Sequence, residues 1–205
     1  MMERDLVSLF EDIKARKPEA FNQFFRQVEK RVYSFGVKVC GDREDARDIM
    51  QETLLQAFRS LPGLQFTDST ALNVWLYRVA RNSCLMMRRK GKYEPERELS
   101  LEEFMPAKEH EGHPMQIPDW SRLPDEALME KEIGDVIRRA TLSLPYEYRL
   151  VLVLRDMEQL TTREVADILE ISEQNVKIRL HRARLSLRQA LTEKLAGERL
   201  RQAAD

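Results

Sequence analysis

The chain has 205 residues, of which 42% are hydrophobic and 34% charged, and its formal net charge is -1 at pH 7. This length provides for one or two modest hydrophobic cores, and no segment approaches the roughly 20 consecutive apolar residues that a membrane span needs. We therefore predict no direct membrane insertion. The 7 glycines and the few alternating runs favour an all-α fold, which we expect to consist of two small helical domains joined by a flexible linker.

The first helical domain is predicted over residues 1–92. Apolar residues recur at helical spacing from Leu6 to Ile13, and Pro18 is well placed to open a second helix. A third helix is predicted from Arg43 through Arg59. We expect its inner face to carry Ala46, Ile49, Met50, Thr53, Leu54, Ala57 and Phe58, and its outer face to carry Glu44, Asp45, Asp48, Gln51, Glu52 and Gln56. The alternative for the outer face is a solvated acidic surface.

A loop after Leu61, Pro62 and Gly63 precedes a fourth, long helix. Its predicted buried stripe is Leu72, Trp75, Leu76, Val79, Ala80 and Leu85. We interpret Trp75 as a core residue, since an aromatic side chain at helical spacing more often packs inside a protein than stacks on a base.

Residues 93–124 are predicted to form a linker, because prolines interrupt any helix there and acids outnumber bases. At about 3.3 Å per residue it could span on the order of 100 Å. Its His110 and His113 are too few imidazoles for a structural metal site, so we predict no metal. Cys40 and Cys84 are widely separated in sequence, and we interpret them as packed thiols.

The second helical domain is predicted over residues 125–205, and it contains a helix-turn-helix pattern between Leu160 and Leu187. Thr162 is expected to cap the first helix and Ser172 the second. The second helix has a predicted buried stripe of Val176, Leu180, Ala183 and Leu187.

The outward face of that second helix is polar and basic. It carries Asn175, Lys177, Arg179, His181, Arg182 and Arg184, and residues 172–188 contain five Lys or Arg residues against one acid. Amide and cationic donors on a helix of this size suit the major groove of DNA, where they reach phosphates and base edges. The alternative is a solvated basic helix face.

The segment VADILEISEQNVKIRLHRARLSLR resembles the promoter-reading domain 4 of bacterial sigma factors, in particular the extracytoplasmic-function (ECF) group of the sigma-70 family. Two departures stand out. Glu170 occupies the turn position where the family usually has Gly, and holding a non-Gly residue at positive φ costs about 1 kcal/mol. Met86 stands where the family often has an acid.

Upstream, DREDARDIMQETLLQAF resembles the segment of sigma domain 2 that docks on the β′ clamp helices of core RNA polymerase, and LQFTDSTALNVWLYRVARNSC resembles the strand-opening segment. The resemblance implies core polymerase contacts for Asp45, Asp48, Gln51 and Glu52. It implies minus-10 contacts for Thr67, Asp68, Ser69, Thr70, Asn73, Arg78 and Asn82, with Arg81, Arg88, Arg89, Lys90 and Lys92 neutralising phosphates. It implies minus-35 contacts for Arg155, Thr162, Arg163, Asn175, Lys177, Ile178, Arg179, His181 and Arg182.

The resemblance also implies the partners. They are core RNA polymerase, through its β′ clamp helices and β flap, double-stranded and single-stranded promoter DNA, and an anti-sigma factor held between the two domains. The expected location is the cytoplasm, on the nucleoid when the protein is active.

The expected activity is that of an alternative sigma factor, which directs promoter-specific initiation and has no chemistry of its own. The chain has no Gly-rich phosphate loop, no Ser-His-Asp order and no paired His-carboxylate motif, so we expect neither an enzyme nor a cofactor. Two alternatives remain: a free-standing helix-turn-helix regulator that dimerises through its N-terminal bundle, and a sigma mimic that titrates an anti-sigma factor.

Overall fold

The computed structural model describes residues 6–15, 17–60, 65–66, 68–87 and 126–202, and every regular element in these ranges is helical, as predicted. The helices are α1 (Leu6–Lys14), α2 (Pro18–Cys40), α3 (Arg43–Ser60), α4 (Ser69–Met87), α5 (Glu126–Leu142), α6 (Tyr146–Leu152), α7 (Thr162–Leu169) and α8 (Glu173–Gln202), with a π-helical turn at Val153–Met157. The predicted linker, with His110 and His113, lies outside the described residues. In the described ranges, no helix combines the length and the apolar character that crossing a bilayer requires.

The N-terminal bundle consists of α1 to α4. The apolar stripes of the helices meet in a core that contains the fully buried Phe10, Phe24, Phe35, Ile49 and Leu72. A Cβ atom on Gly36 would lie only 3.0 Å from the Ala46 Cα atom, so the absence of a side chain lets α2 and α3 approach closely.

The C-terminal bundle consists of α5 to α8. Val151, Leu154, Ile168, Val176 and Ala183 are fully buried in it and come from α6, the π-helical turn, α7 and α8. In the π-helical turn, the Glu158 N–H donates to the Val153 carbonyl at 2.9 Å, five residues earlier, whereas a regular α-helical bond reaches back four residues.

The two bundles pack directly against each other and share one continuous apolar cluster. Arg149 of α6 is only 6% exposed and joins them. Its Nη1 atom donates to the Val39 carbonyl of α2 at 2.7 Å, and its Nη2 atom donates to the carbonyls of Leu142 and Leu144 at 2.7 and 2.8 Å. Gly41, at φ 78°, makes room for Leu142, whose side chain would lie 2.7 Å from a Cβ atom there. The sequence pattern did not predict this packing.

The two cysteine thiols lie in contact, with their Sγ atoms 3.9 Å apart, and no disulfide joins them. The contact with Cys40 and the burial of Cys84 raise the pKa of Cys84 well above its usual value. The interpretation of both residues as packed thiols is therefore confirmed.

Candidate nucleic-acid and polymerase interfaces

A three-residue turn joins α7 to α8, as the sequence predicted. Glu170 adopts the left-handed conformation at φ 58° and ψ 41°, where its N–H donates to the Ala166 carbonyl. The Ser172 hydroxyl accepts from the Asn175 N–H at 3.2 Å and caps α8. A non-Gly residue at positive φ therefore does occupy this turn.

The cap of α7 is Thr161, so the prediction of Thr162 was wrong by one position. The Thr161 hydroxyl accepts from the Glu164 N–H at 3.2 Å, and the Glu164 carboxylate accepts from the Thr161 N–H at 2.6 Å. The two bonds form a capping box. Thr162 is instead the first, half-buried residue of the helix.

The exposed face of α8 carries Asn175, Lys177, Ile178 and His181, with Arg182 half-buried beside them. Ile178 is 39% exposed although it is a large apolar side chain. Within the part of the chain that the structure describes, Lys177 and His181 form no ion pair. Arg163 is also exposed, in the first turn of α7. This face offers cations, an amide and one apolar side chain to a ligand.

Three other cations near this face are engaged inside the C-terminal bundle. Arg179 pairs with Glu147 of α6 at 2.7 Å, and Arg155 donates to the Leu160 carbonyl. Arg184 donates two bonds to Asp156, at 2.9 and 2.7 Å, and this pairing raises its pKa. The pairs of Arg179 and Arg184 hold α8 against α6 and the π-helical turn, and the Arg155 bond lies within the segment before α7. Arg155 and Arg179 therefore differ from the other predicted minus-35 residues in having partners inside the bundle.

The start of α4 is anchored on both sides. The Asp68 carboxylate accepts from the Ala71 N–H at 2.8 Å, and Phe66 packs between Phe10 and Trp75 with ring centroids 5.1 and 5.9 Å away. Trp75 packs against the core, as predicted. Ser69 and Thr70 form the first turn of α4, whereas Thr67 lies outside the described residues.

The remaining predicted minus-10 residues differ in their surroundings. Asn73 accepts from Arg31 of α2 at 2.9 Å, and Arg78 donates to the Asp167 carbonyl of α7 at 2.6 Å. Asn82 is exposed. The structure thus places Arg78 against the C-terminal bundle, which sequence reasoning did not anticipate.

The outer face of α3 carries the exposed Asp48 and Gln51, and Leu55 on the same face is 49% exposed. Glu52 is half-buried and accepts from Gln56 at 3.1 Å. Asp45 was predicted on this face but is only 7% exposed. Its backbone N–H donates to the carboxylate of Asp42, which caps α3, at 3.0 Å.

Phe58 was predicted on the inner face of α3, and this prediction was wrong. Its side chain is 57% exposed and packs edge-on against Phe21, with ring centroids 5.8 Å apart. Sequence reasoning also missed Leu55. The available signal was spacing, since Leu55 follows Asp48 by seven residues and Gln51 by four, which places all three on one side of a helix.

Comparison with known proteins identifies the family of the chain. The family described as sigma-70 region 2 matches residues 24–93, and the family described as sigma-70 region 4 matches residues 134–187. The ECF RNA polymerase sigma factor SigW of Bacillus subtilis (strain 168) is 30% identical over 192 residues, covering 93% of this chain and 98% of SigW. The chain belongs to the ECF sigma factors.

Other relatives place this ECF sigma factor in the same group. SigE of Mycolicibacterium smegmatis is 31% identical over 173 residues, covering 84% of this chain and 62% of SigE. Among solved structures, RpoE of Bartonella quintana has a TM-score of 0.58 at 21% identity, covering 84% of this chain and 96% of that one. CnrH has a TM-score of 0.55 at 20% identity, covering 92% and 97%.

These likenesses identify an alternative sigma factor that acts in transcription initiation. Sigma factors are initiation factors and are not enzymes by themselves. Among the described residues, no group of three or more His, Cys, Asp or Glu side chains is arranged to hold a metal ion.

Proposed function

We propose that this sigma factor binds core RNA polymerase through the outer face of α3. The face presents the acid Asp48 and the amide Gln51 around the apolar Leu55, with Glu52 beside them. An apolar centre ringed by polar groups is the usual arrangement of a protein interface, and the carboxylates can form charge-assisted bonds with polymerase Arg and Lys residues. Asp45 is left out of this proposal because its side chain is buried.

The minus-35 element is read by the exposed face of α8. This face is the observation that carries the proposal, because its donors lie on a helix whose position is fixed by two ion pairs. Arg179 pairs with Glu147 of α6, and Arg184 pairs with Asp156 of the π-helical turn. Lys177, His181 and Arg182 approach base edges or phosphates, and Ile178 contacts an apolar base edge such as a thymine methyl group. Arg163 and Thr162 contact the backbone, at the N-terminal end of α7.

The minus-10 element is captured by α4 after the duplex opens. Arg78 supplies a phosphate contact, while Asn73, Asn82, Ser69 and Thr70 supply polar groups for unstacked bases. No chemical step is needed, since trapping unpaired bases lowers the free energy of the melted state.

The proposed domains are residues 1–92 and 125–205, with residues 93–124 between them. We place the protein in the cytoplasm, where polymerase and promoters are found. In the two similar structures, the sigma factor RpoE is in complex with the anti-sigma factor NepR, and CnrH is in complex with the cytosolic domain of CnrY. By analogy, we propose an anti-sigma factor as a partner here.

Co-purification with core polymerase tests the polymerase contact. The double variant Asp48→Ala and Gln51→Ala should bind core polymerase at least tenfold more weakly and keep its helical circular dichroism. Glu29→Ala, which removes an exposed acid from α2, is the matched control and should bind like the unaltered chain. Equal binding by the double variant and the control would refute the assignment of α3.

A further inference from the structure

The two cysteines of the chain form a pair whose members differ in exposure. Cys40 and Cys84 are 44 positions apart in sequence, and their Sγ atoms lie 3.9 Å apart. Cys84 is 1% exposed on the inner face of α4, whereas Cys40 is half-buried as the last residue of α2. Cys40 is therefore the thiol that a small oxidant in the solvent reaches more easily.

The backbone on both sides of the pair is held in place. The Gly41 N–H donates to the Val37 carbonyl at 2.9 Å and ends α2. Arg149 Nη1 donates to the carbonyl of Val39, next to Cys40, at 2.7 Å. The other thiol belongs to the apolar core cluster. Because both helices are fixed near their sulfurs, each thiol has a high effective concentration at the other.

We propose that Cys40 and Cys84 are a modification site for hydroperoxides, at which a disulfide forms between α2 and α4. In the first step, the Cys40 sulfur attacks one oxygen of hydrogen peroxide. The O–O bond breaks, the thiol proton goes to the leaving oxygen, and a sulfenic acid and one water molecule form. In the second step, the Cys84 sulfur attacks the Cys40 sulfur, the S–O bond breaks, and a second water molecule leaves with the Cys84 proton. The two thiols lose two electrons, and one peroxide is reduced to two water molecules.

The two thiols have different roles in these steps. The contact with Cys40 and burial raise the pKa of Cys84, while Tyr146 acts in the opposite direction, so Cys84 is a poor nucleophile toward an oxidant in solution. Its attack on the Cys40 sulfur is intramolecular, and this proximity compensates for a low fraction of thiolate. A disulfide has an S–S distance of about 2.05 Å, so rotation of the two side chains about their Cα–Cβ bonds has to bring the sulfurs together.

A disulfide at this site would cross-link α2 to α4. By restricting the unfolded chain, it should raise the melting temperature by about 5 to 10 °C. In a reducing compartment such a bond is transient and is formed in response to an oxidant, unlike the permanent disulfides of secreted proteins. The oxidation of these two thiols does not depend on the proposed function of the chain.

The test uses the full-length protein, first reduced and then freed of reductant. Hydrogen peroxide is added in small excess, and free thiols are counted with a chromogenic thiol reagent. We expect the count to fall from two per chain to none, with the chain still monomeric on a non-reducing gel. Trypsin should release residues 39–43 linked to residues 82–88. The melting temperature should rise, and dithiothreitol should restore both thiols and the original melting temperature.

Single-cysteine variants separate the two roles. In Cys84→Ala, Cys40 should stop at the sulfenic acid, which dimedone traps, and the melting temperature should not rise on oxidation. In Cys40→Ser, which changes only the half-buried position, the Cys84 thiol should survive the same treatment because it is buried. Circular dichroism of each variant reports whether the helical fold is retained.

A displaced-thiol control keeps the number of thiols constant. It combines Cys84→Ala with Asn82→Cys, which moves the second thiol two positions along α4 to an exposed site. Because the thiols are no longer in contact, this control should form a disulfide at least tenfold more slowly than the unaltered chain.

Two free thiols that persist in the oxidised, unaltered chain would refute the proposal. Cross-linked dimers, or a Cys40 sulfinic acid without a bond to Cys84, would also refute it, and so would equal rates in the unaltered chain and the displaced-thiol control. Failure of the proposed function is distinguishable, because it would appear as a reduced chain that neither binds core polymerase nor directs transcription.

Discussion

Lys38 Nζ and Glu158 Oε1 lie 2.7 Å apart, although 120 positions separate the residues in sequence and they belong to different bundles. Each bundle thus contributes one charge to the same contact, and Tyr77 adds a hydroxyl to it. Lys38 and Glu158 can each be replaced without removing a core residue, whereas the Tyr77 ring is buried and packs against Phe35.

The coupling between Lys38 and Glu158 should be measurable by a double-mutant cycle. We expect Lys38→Met and Glu158→Gln to destabilise the protein individually and to be less than additive together, with a coupling free energy of about 1 kcal/mol. Urea unfolding of the four proteins gives this number. Lys30→Met, on an exposed position of α2, replaces Lys38→Met in a parallel cycle and should show additivity with Glu158→Gln.

High pH should open the contact between the bundles. Burial, and then the nearby Glu158, raise the pKa of Tyr77 above its ordinary value of 10.0. The positive charge of Arg31 lowers this pKa. Lys38 pairs with the same Glu158 carboxylate. Because the folded pKa is the higher one, the stabilisation is fully present below pH 10.0 and is lost as the pH rises above it.

Spectrophotometric titration of the 5 tyrosines checks this expectation. In the native protein, Tyr77 should resist ionisation above pH 10.0. Tyr77→Phe should therefore lower the number of resistant tyrosines by one. An unchanged number of resistant tyrosines in Tyr77→Phe would contradict the assignment.

Two cations on α8, two positions apart, should have different roles. Lys177→Ala should weaken binding of the polymerase complex to promoter DNA by about tenfold and leave the melting temperature unchanged. Arg179→Ala should lower the free energy of unfolding by about 0.5 kcal/mol, because Arg179 pairs with a Glu147 that is 60% exposed. The reverse assignment of the two effects would mean that α8 is rotated from the orientation described.

Thr161 rather than Thr162 should carry the helix cap. We expect Thr161→Ala to lower the free energy of unfolding by about 1 kcal/mol, since the Glu164 N–H loses its acceptor. Thr162→Ala, one residue later, serves as the control and should have a smaller effect. Chemical denaturation of both variants decides between the two positions.

Much of the fold was predictable from local patterns. The three-residue turn after α7, the cap at Ser172 and the buried stripe from Val176 to Ala183 each follow from a few neighbouring residues. The choice between Thr161 and Thr162 was not predictable, because both side chains can cap and the backbone alone decides which residue is extended, at φ -69° and ψ 161°.

The sequence predicted less well which residues of α3 are buried and which are exposed. Asp45 is buried and Phe58 is exposed, against the preference of their side chains for water and for the core. The rotation of α3 is set by its close approach to α2, where Gly36 lies against Ala46. A contact between two helices cannot be read from the periodicity of one of them.

The packing of the two bundles could not be predicted from sequence patterns. Arg149 and Glu158 make their contacts with Val39, Lys38 and Tyr77, which lie about 80 to 120 residues away. In sequence, these residues look like ordinary members of amphipathic helices. Only the assembled structure identifies Arg78 as a residue at the junction.

Transcription from purified components tests the central claim most directly. The chain is combined with core RNA polymerase on a library of promoter fragments, and the transcripts are sequenced. We expect a restricted set of start sites that share two sequence elements and that requires both the chain and core polymerase. The same transcripts from core polymerase alone, or tight binding of the chain to palindromic DNA without polymerase, would contradict the account.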